Sequence, residues 1–296
     1  MKRRLEGKVA IVTGGGTGIG EAICKKFAQE GAKVVVAGFP EDPVIQVAEE
    51  IKKSDGKAVA FLGDMADERD ARECVEYAVE SFGKLDILIN NAGVFPTISM
   101  LEDYSIEAFD YLVRNNIRTA FLMSRFALPE LQKTKGNIVS AGSEAGMLGI
   151  MQNTPYGGTK GFIHAFMNGL AVEQAQNGVR CNTVCPGPID TAWTHKETGP
   201  MDSEMEKMLT LSTPLGRLGT AEEVANVYAF LASDEASYIT GGMYEVDGGI
   251  TKAKGPVGQK AKGVFKSANK KPSGKLDLEH GREGHTSIRE QHRRRH

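Results

Sequence analysis

Tyr156 and Lys160 stand four residues apart, and Ser143 precedes them by thirteen and seventeen residues. On a helix, positions i and i+4 share one face, one turn apart, so the phenol and the amine point the same way. A free phenol has a pKa near ~10, too high to trade protons readily at neutral pH. A positive charge beside it favours the phenolate. Lowering the pKa by about three units corresponds to roughly 4 kcal/mol of differential stabilisation, and a buried lysine could supply a good part of it. The pair suits acid/base chemistry on a small substrate. Alone, Tyr-x-x-x-Lys fits an ordinary helix surface equally well. Ser143, Asn116 and a glycine-rich stretch near the start of the chain give it weight.

That stretch is Val9 to Gly20, Val-Ala-Ile-Val-Thr-Gly-Gly-Gly-Thr-Gly-Ile-Gly. Val9 to Val12 is a short apolar run, read as a strand buried on both faces. Glu21 to Glu30 has helical spacing, with Ala22, Ile23, Phe27 and Ala28 on one face. Strand, glycine turn and helix are the context a dinucleotide site requires. Gly14 makes the tight turn, Gly18 admits the pyrophosphate, and Gly20 lets the helix pack close to the strand. The helix N-terminus then offers free N–H groups and a positive dipole end to the phosphates.

Further strands are expected at 33–37, 58–62, 85–89, 137–140, 179–184 and 243–246. Helical patterns fall at 43–53, 68–82, 155–176 and 221–231, with Thr220 as N-cap of the last. Residues 105–131 read as one or two helices carrying Asn116. Strands alternate with helices, so the fold class is α/β: a single-domain, Rossmann-like, doubly wound parallel sheet with helices on both faces. Residues 191–219 show weak periodicity and hold Trp193, His195, Met201, Met205 and Met208, which reads as a substrate lid.

The chain has 296 residues and a net charge of −2. Residues 252–296 carry 13 Lys and Arg against 4 Asp and Glu, a net of +9, and the remainder carries −11. The expected division is one α/β domain at 1–251 and a basic, extended or disordered tail at 252–296, whose simplest partner is the acidic body of the same or a neighbouring subunit. Phe265 is the one aromatic in the tail, so nucleic acid is not an expected partner. Lys2-Arg3-Arg4 leads into Glu6-Gly7-Lys8 rather than an apolar run, so no signal peptide is expected. No apolar run reaches the roughly 18 residues of a membrane span. Cys24, Cys74, Cys181 and Cys185 lack metal-ligand spacing and read as reduced, buried thiols of a cytoplasmic protein.

These motifs together resemble the short-chain dehydrogenase/reductase family. The resemblance spans residues 6–249 and rests on Thr13-Gly14-x-x-x-Gly18-Ile19-Gly20, Asp64, Asn90-Asn91-Ala92-Gly93, Asn116, Ser143, Tyr156-x-x-x-Lys160, Pro186-Gly187 with Thr191, and Asp247-Gly248-Gly249. It implies an alcohol–carbonyl oxidoreductase using NAD or NADP, often tetrameric. Tyr156 would be the general acid/base and Ser143 would hold the substrate oxygen. Lys160 would bind the nicotinamide ribose and, with the oxidised ring, lower the Tyr156 pKa. Asn116 would kink its helix and hold a water leading to Lys160. Gly14, Thr17, Gly18, Ile19 and Gly20 would take the phosphates, Asp64 and Met65 the adenine, and Asn91, Ala92 and Gly93 the adenine-ribose side. Pro186, Gly187, Ile189 and Thr191 would hold the carboxamide.

The cofactor form rests on the end of the second strand. NAD users of the family place Asp at the position of Gly38, and NADP users place Arg at Phe39 or Thr17. Neither is present, while Glu41 and Asp42 stand close by and would repel a 2′-phosphate, so NAD is favoured. Thr134 and Asn177 occupy positions where carrier-protein reductases of the family place Arg, which disfavours a carrier-bound substrate. The alternative is a nucleotide-binding or regulatory protein on the same scaffold with catalysis lost.

Overall fold

The computed structural model describes residues 3–191 and 203–253. The described residues belong to one compact unit. Trp193, His195, Met201 and the expected tail beyond Ala253 lie outside the described residues. Lys252 is folded onto the last strand through an ion pair with Glu245 at 2.6 Å.

Seven parallel strands form the sheet: β1 (Val9–Thr13), β2 (Lys33–Gly38), β3 (Lys57–Leu62), β4 (Ile87–Asn90), β5 (Asn137–Ala141), β6 (Arg180–Pro186) and β9 (Met243–Val246), in the order β3-β2-β1-β4-β5-β6-β9. A second, two-stranded sheet pairs β7 (Ile189–Asp190) with β8 (Gly219–Thr220). The expected fourth strand begins two residues late, because Asp86 accepts from the Val9 amide at 2.8 Å and pairs with Lys84 at 2.9 Å.

Alternation along β1 sends Ala10 and Val12 to one face and Ile11 to the other. On the first face they meet α1 (Gly18–Gln29), α2 (Val44–Lys53) and α8 (Ala221–Ala232) through Phe27, Ile51 and Tyr228. On the second, α3 (Glu68–Phe82), α5 (Thr119–Thr134) and α6 (Thr154–Gln174) contribute Val75, Met123 and Met167. Two covered faces explain why the strands read as apolar runs rather than alternating ones. Thr220 caps α8 as expected, and Glu223 completes a capping box.

Two local features position the site. Residues 105–131 form two helices, α4 (Ile106–Val113) and α5, joined by a π-turn at Arg114–Arg118 that contains Asn116. Single π-turns inside helices are frequent at functional sites, and this one buries Asn115 and Asn116. In the expected lid, α7 (Ser203–Ser212) is a helix that weak periodicity concealed.

The carboxyl ends of β1 and β4 are tied by one hydroxyl. Buried Thr13 donates from Oγ1 to the Ile89 carbonyl at 3.2 Å and accepts from the Asn91 and Ala92 amides at 3.1 and 3.0 Å. Thr13→Val keeps the shape and strands both donors. It is expected to cost about 2–4 kcal/mol in denaturant unfolding, with Thr13→Ser recovering most of that.

Candidate active site

Strand order reverses between β1 and β4, and a cleft of about 530 Å³ opens at the carboxyl ends of the strands there. One end is the glycine turn. Gly14 and Gly18 hold φ of +62° and +54°, where side chains are disfavoured. A Cβ on Gly20 would collide with the Gly14 carbonyl, so α1 packs closer than any other residue would allow. Thr17 precedes α1 without a side-chain cap, and Gly18, Ile19 and Gly20 line the cleft. The positive end of α1 therefore faces it.

The side walls come from the ends of the neighbouring strands. Phe39 and Asp42 follow β2, Asp64 and Met65 follow β3, and Asn91, Ala92 and Gly93 follow β4. Of the two carboxylates after β2, Asp42 faces the cleft beside Gly38 and Glu41 is exposed. Asp64 is already engaged: Oδ1 accepts from the Ala66 amide at 2.9 Å and Oδ2 pairs with Arg114 of the π-turn. Asn91 spends its amide nitrogen on the Thr13 and Gly14 carbonyls at 3.1 and 3.3 Å. It thus braces the glycine turn.

Ser143, Tyr156 and Lys160 stand at the other end, with Pro186, Gly187, Ile189 and Thr191 on the wall above β6. Pro155 occupies the first turn of α6, where it needs no N–H partner. The Ser143 side chain is near enough to Tyr156 to favour its phenolate. Lys160 is buried, and its Nζ donates to the Ala141 carbonyl at 2.9 Å while standing 5.6 Å from the centre of the Tyr156 ring. The expected catalytic residues and the residues expected to hold the cofactor line this cleft, except Asn116. Asn116 sits behind it, exchanging hydrogen bonds with Val94 at 2.7 and 3.0 Å and donating to Thr159 Oγ1 at 3.2 Å.

In the protein alone, burial rather than Lys160 sets the direction of the Tyr156 shift. Burial pushes Tyr156 up to about 12, the Ser143 side chain opposes that, and the Glu144 charge adds to it. Burial pushes Lys160 down to about 8. The amine lies over the ring and gives its hydrogen bond to a carbonyl, so the low-dielectric surroundings dominate both groups.

Several site residues escaped the sequence reading. Phe95 packs on Tyr156 with ring centres 4.9 Å apart, and Tyr111, Asn115 and Thr119 reach the cleft from α4, the π-turn and α5. Glu144, next to Ser143, is buried; its Oε2 is unpartnered among the described residues, and burial, then Asp247, push its carboxyl up to about 7. His164 continues the 156–160 spacing by one more turn, a signal present in the sequence. The cradle without Cβ atoms, the uncapped helix end and the buried amine at the far end fit a nicotinamide dinucleotide.

Comparison with known proteins agrees. A family model described as Enoyl-(Acyl carrier protein) reductase matches residues 14–251. The cyclohexanol dehydrogenase of Acinetobacter sp. (strain SE19) is 37% identical over 254 residues, 85% of this chain and 98% of that protein. The L-rhamnose 1-dehydrogenase (NAD(P)(+)) of Sphingomonas sp. (strain SKA58) is 37% identical over 249 residues, 83% of this chain and 97% of that protein. The crystal structure of 3-ketoacyl-(acyl-carrier-protein) reductase from Brucella melitensis complexed with NADH aligns with a TM-score of 0.77 at 34% identity, covering 83% of this chain and 99% of that one. Motifs, strand order and relatives converge: the chain belongs to the short-chain dehydrogenase/reductase family of NAD(P)-dependent oxidoreductases.

Proposed function

We propose that this protein interconverts a small secondary alcohol and its ketone with NAD, and that Tyr156 moves the proton. The convergence of Tyr156, Ser143 and Lys160 at one end of a cleft whose other end is a bare helix N-terminus carries this reading. A bound nicotinamide supplies or accepts the hydride. The chain's own residues do the rest. Gly14 to Gly20 hold the diphosphate against the positive end of α1. Lys160 Nζ uses one N–H on Ala141 and has others for ribose hydroxyls. Ser143 Oγ holds the substrate oxygen, and Tyr156 Oη gives it a proton in reduction and takes one in oxidation.

Asp42 supports NAD. It is the carboxylate that faces the cleft beside Gly38, and Lys160 is the one cation among the described lining residues. A 2′-phosphate there would meet a negative charge with nothing to balance it. Phe95 on Tyr156, and Met147, Leu148 and Ile150 after the Ser143 turn, support an apolar or mixed-face substrate, in the range set by cyclohexanol and rhamnose among the relatives. Thr134 donates to the Leu85 carbonyl at 2.7 Å and Asn177 to Gln174 at 2.9 Å, so neither offers a charge to a carrier protein. Four buried, unpaired thiols support a reducing, cytoplasmic setting. Val172 on α6 and Met243 on β9 are exposed apolar residues on the elements through which a homo-oligomer, a dimer or tetramer, would assemble.

A panel of alcohols and ketones with NAD(H) and NADP(H) tests the reading. Tyr156→Phe is expected to lower kcat by about a hundredfold or more and to leave NADH affinity nearly intact, because the ring stays and the proton goes. Retention of about a tenth of wild-type kcat would sink the assignment. Lys160→Ala is expected to weaken NADH binding and turnover together; an unchanged NADH Kd would remove its ribose role. Asp42→Ala should narrow the preference for NAD over NADP, measured as the ratio of kcat/KM values, and a wild-type ratio favouring NADP would contradict the cofactor choice.

A further inference from the structure

His164 is a buried, titratable side chain that the chemistry above does not use. It lies on α6 one turn beyond Lys160 and two beyond Tyr156, and it is 7% exposed. Its Nε2 accepts from the Ser143 amide at 3.4 Å and lies 3.4 Å from Cys185 Sγ on β6. The Ser143–His164 bond is long and the same amide also reaches the Cys185 sulfur, but steric fit supports the histidine. A Cβ on Gly142 would stand 2.5 Å from Nε2, and one on Gly146 would stand 2.6 Å from Cε1. Cβ atoms do not approach that closely, so the imidazole occupies the space that side chains at both positions would need. Those glycines flank the turn that carries Ser143.

We propose that His164 is a positioning residue for Ser143: unprotonated Nε2 anchors the Ser143 amide, the ring wedges between Gly142 and Gly146, and together they fix the Ser143 hydroxyl against Tyr156. An amide donor on Nε2 requires the lone pair there, so the ring carries its proton on Nδ1. Its surroundings favour that neutral form, since burial and then the neighbouring Lys160 charge lower its pKa. The Ser143 turn is short, Glu144–Gly146, and the Ser143 Oγ accepts from Ala145 at 3.1 Å. The Gly142 amide ties the start of the turn to the Val184 carbonyl of β6 at 2.8 Å; His164 adds the contact at Ser143 itself, where a displacement near ~1 Å can cost about a hundredfold in rate. The functional half of this inference rests on the dehydrogenase reading; the structural half does not.

The test compares His164→Leu, which removes the acceptor, with His164→Gln, whose side-chain carbonyl can accept the same N–H. Hydrogen exchange at residues 143–147, NADH affinity and steady-state kinetics are read on each. His164→Leu should speed exchange in the turn and lower kcat about tenfold or more with NADH Kd unchanged. His164→Gln should restore both slow exchange and most of kcat. Equal behaviour of the two variants, whether both active or both impaired, overturns the proposal, because the acceptor would then not matter. Wild-type nitrogen NMR needs no variant to fold: Nε2 should be unprotonated at neutral pH, and a proton on Nε2 overturns the proposal. If the wild type oxidises no alcohol and reduces no ketone, the dehydrogenase reading fails, and exchange and the His164 tautomer still decide whether His164 holds the turn.

Discussion

The Lys160 amine donates to the Ala141 carbonyl at 2.9 Å from a position only 6% exposed. A buried ammonium is costly, and this one is compensated by a backbone carbonyl rather than a carboxylate. Burial holds its pKa down at about 8, still above neutrality, so the amine remains mostly charged at pH 7. A carboxylate partner would have fixed the charge and blocked the hydrogen bonds the amine must offer to a ligand. The carbonyl belongs to the last residue of β5, so the strand that ends in the Ser143 turn also sets the height of Lys160.

Everything that brings α6 to β5 serves that bond. The second apolar layer, with Met167 and Leu170 from α6 packed among Leu88 and Ile138, presses the helix onto the sheet. Asn116 in the π-turn links the Val94 backbone to Thr159, and Thr159 returns a bond to the Tyr156 carbonyl at 2.8 Å. The opposite end of the cleft is organised around Thr13 and Asn91, which lock the glycine turn to the end of β4. Two polar networks, one at each end, therefore fix the distance a dinucleotide must span.

Local patterns were legible in the sequence. The strands, the glycine turn, the Tyr156–Lys160 face and the Thr220 cap each depend on residues within a few positions of one another. What stayed hidden depends on contacts across the fold. Asp64 and Asn91 both line the cleft as expected, but the Arg114 that pairs with Asp64, fifty residues away, is invisible in the chain. Asn91 also braces a turn. Phe95 and Glu144 sit beside recognised motifs, and only packing shows one stacked on Tyr156 and the other buried without a partner. Spacing shows that a lysine is near Tyr156, while only the fold shows the burial that raises the phenol and lowers the amine, and the Ala141 carbonyl that takes the lysine's hydrogen bond.

The central claim is that the half-buried phenol of Tyr156 becomes a working acid/base group when a positive nicotinamide lies beside it. Ultraviolet difference titration of wild type minus Tyr156→Phe, with and without NAD, tests it most directly. The free protein should titrate this phenol near 12, as burial dictates, and bound NAD should move the transition clearly to lower pH. The same transition with and without bound NAD would contradict the account.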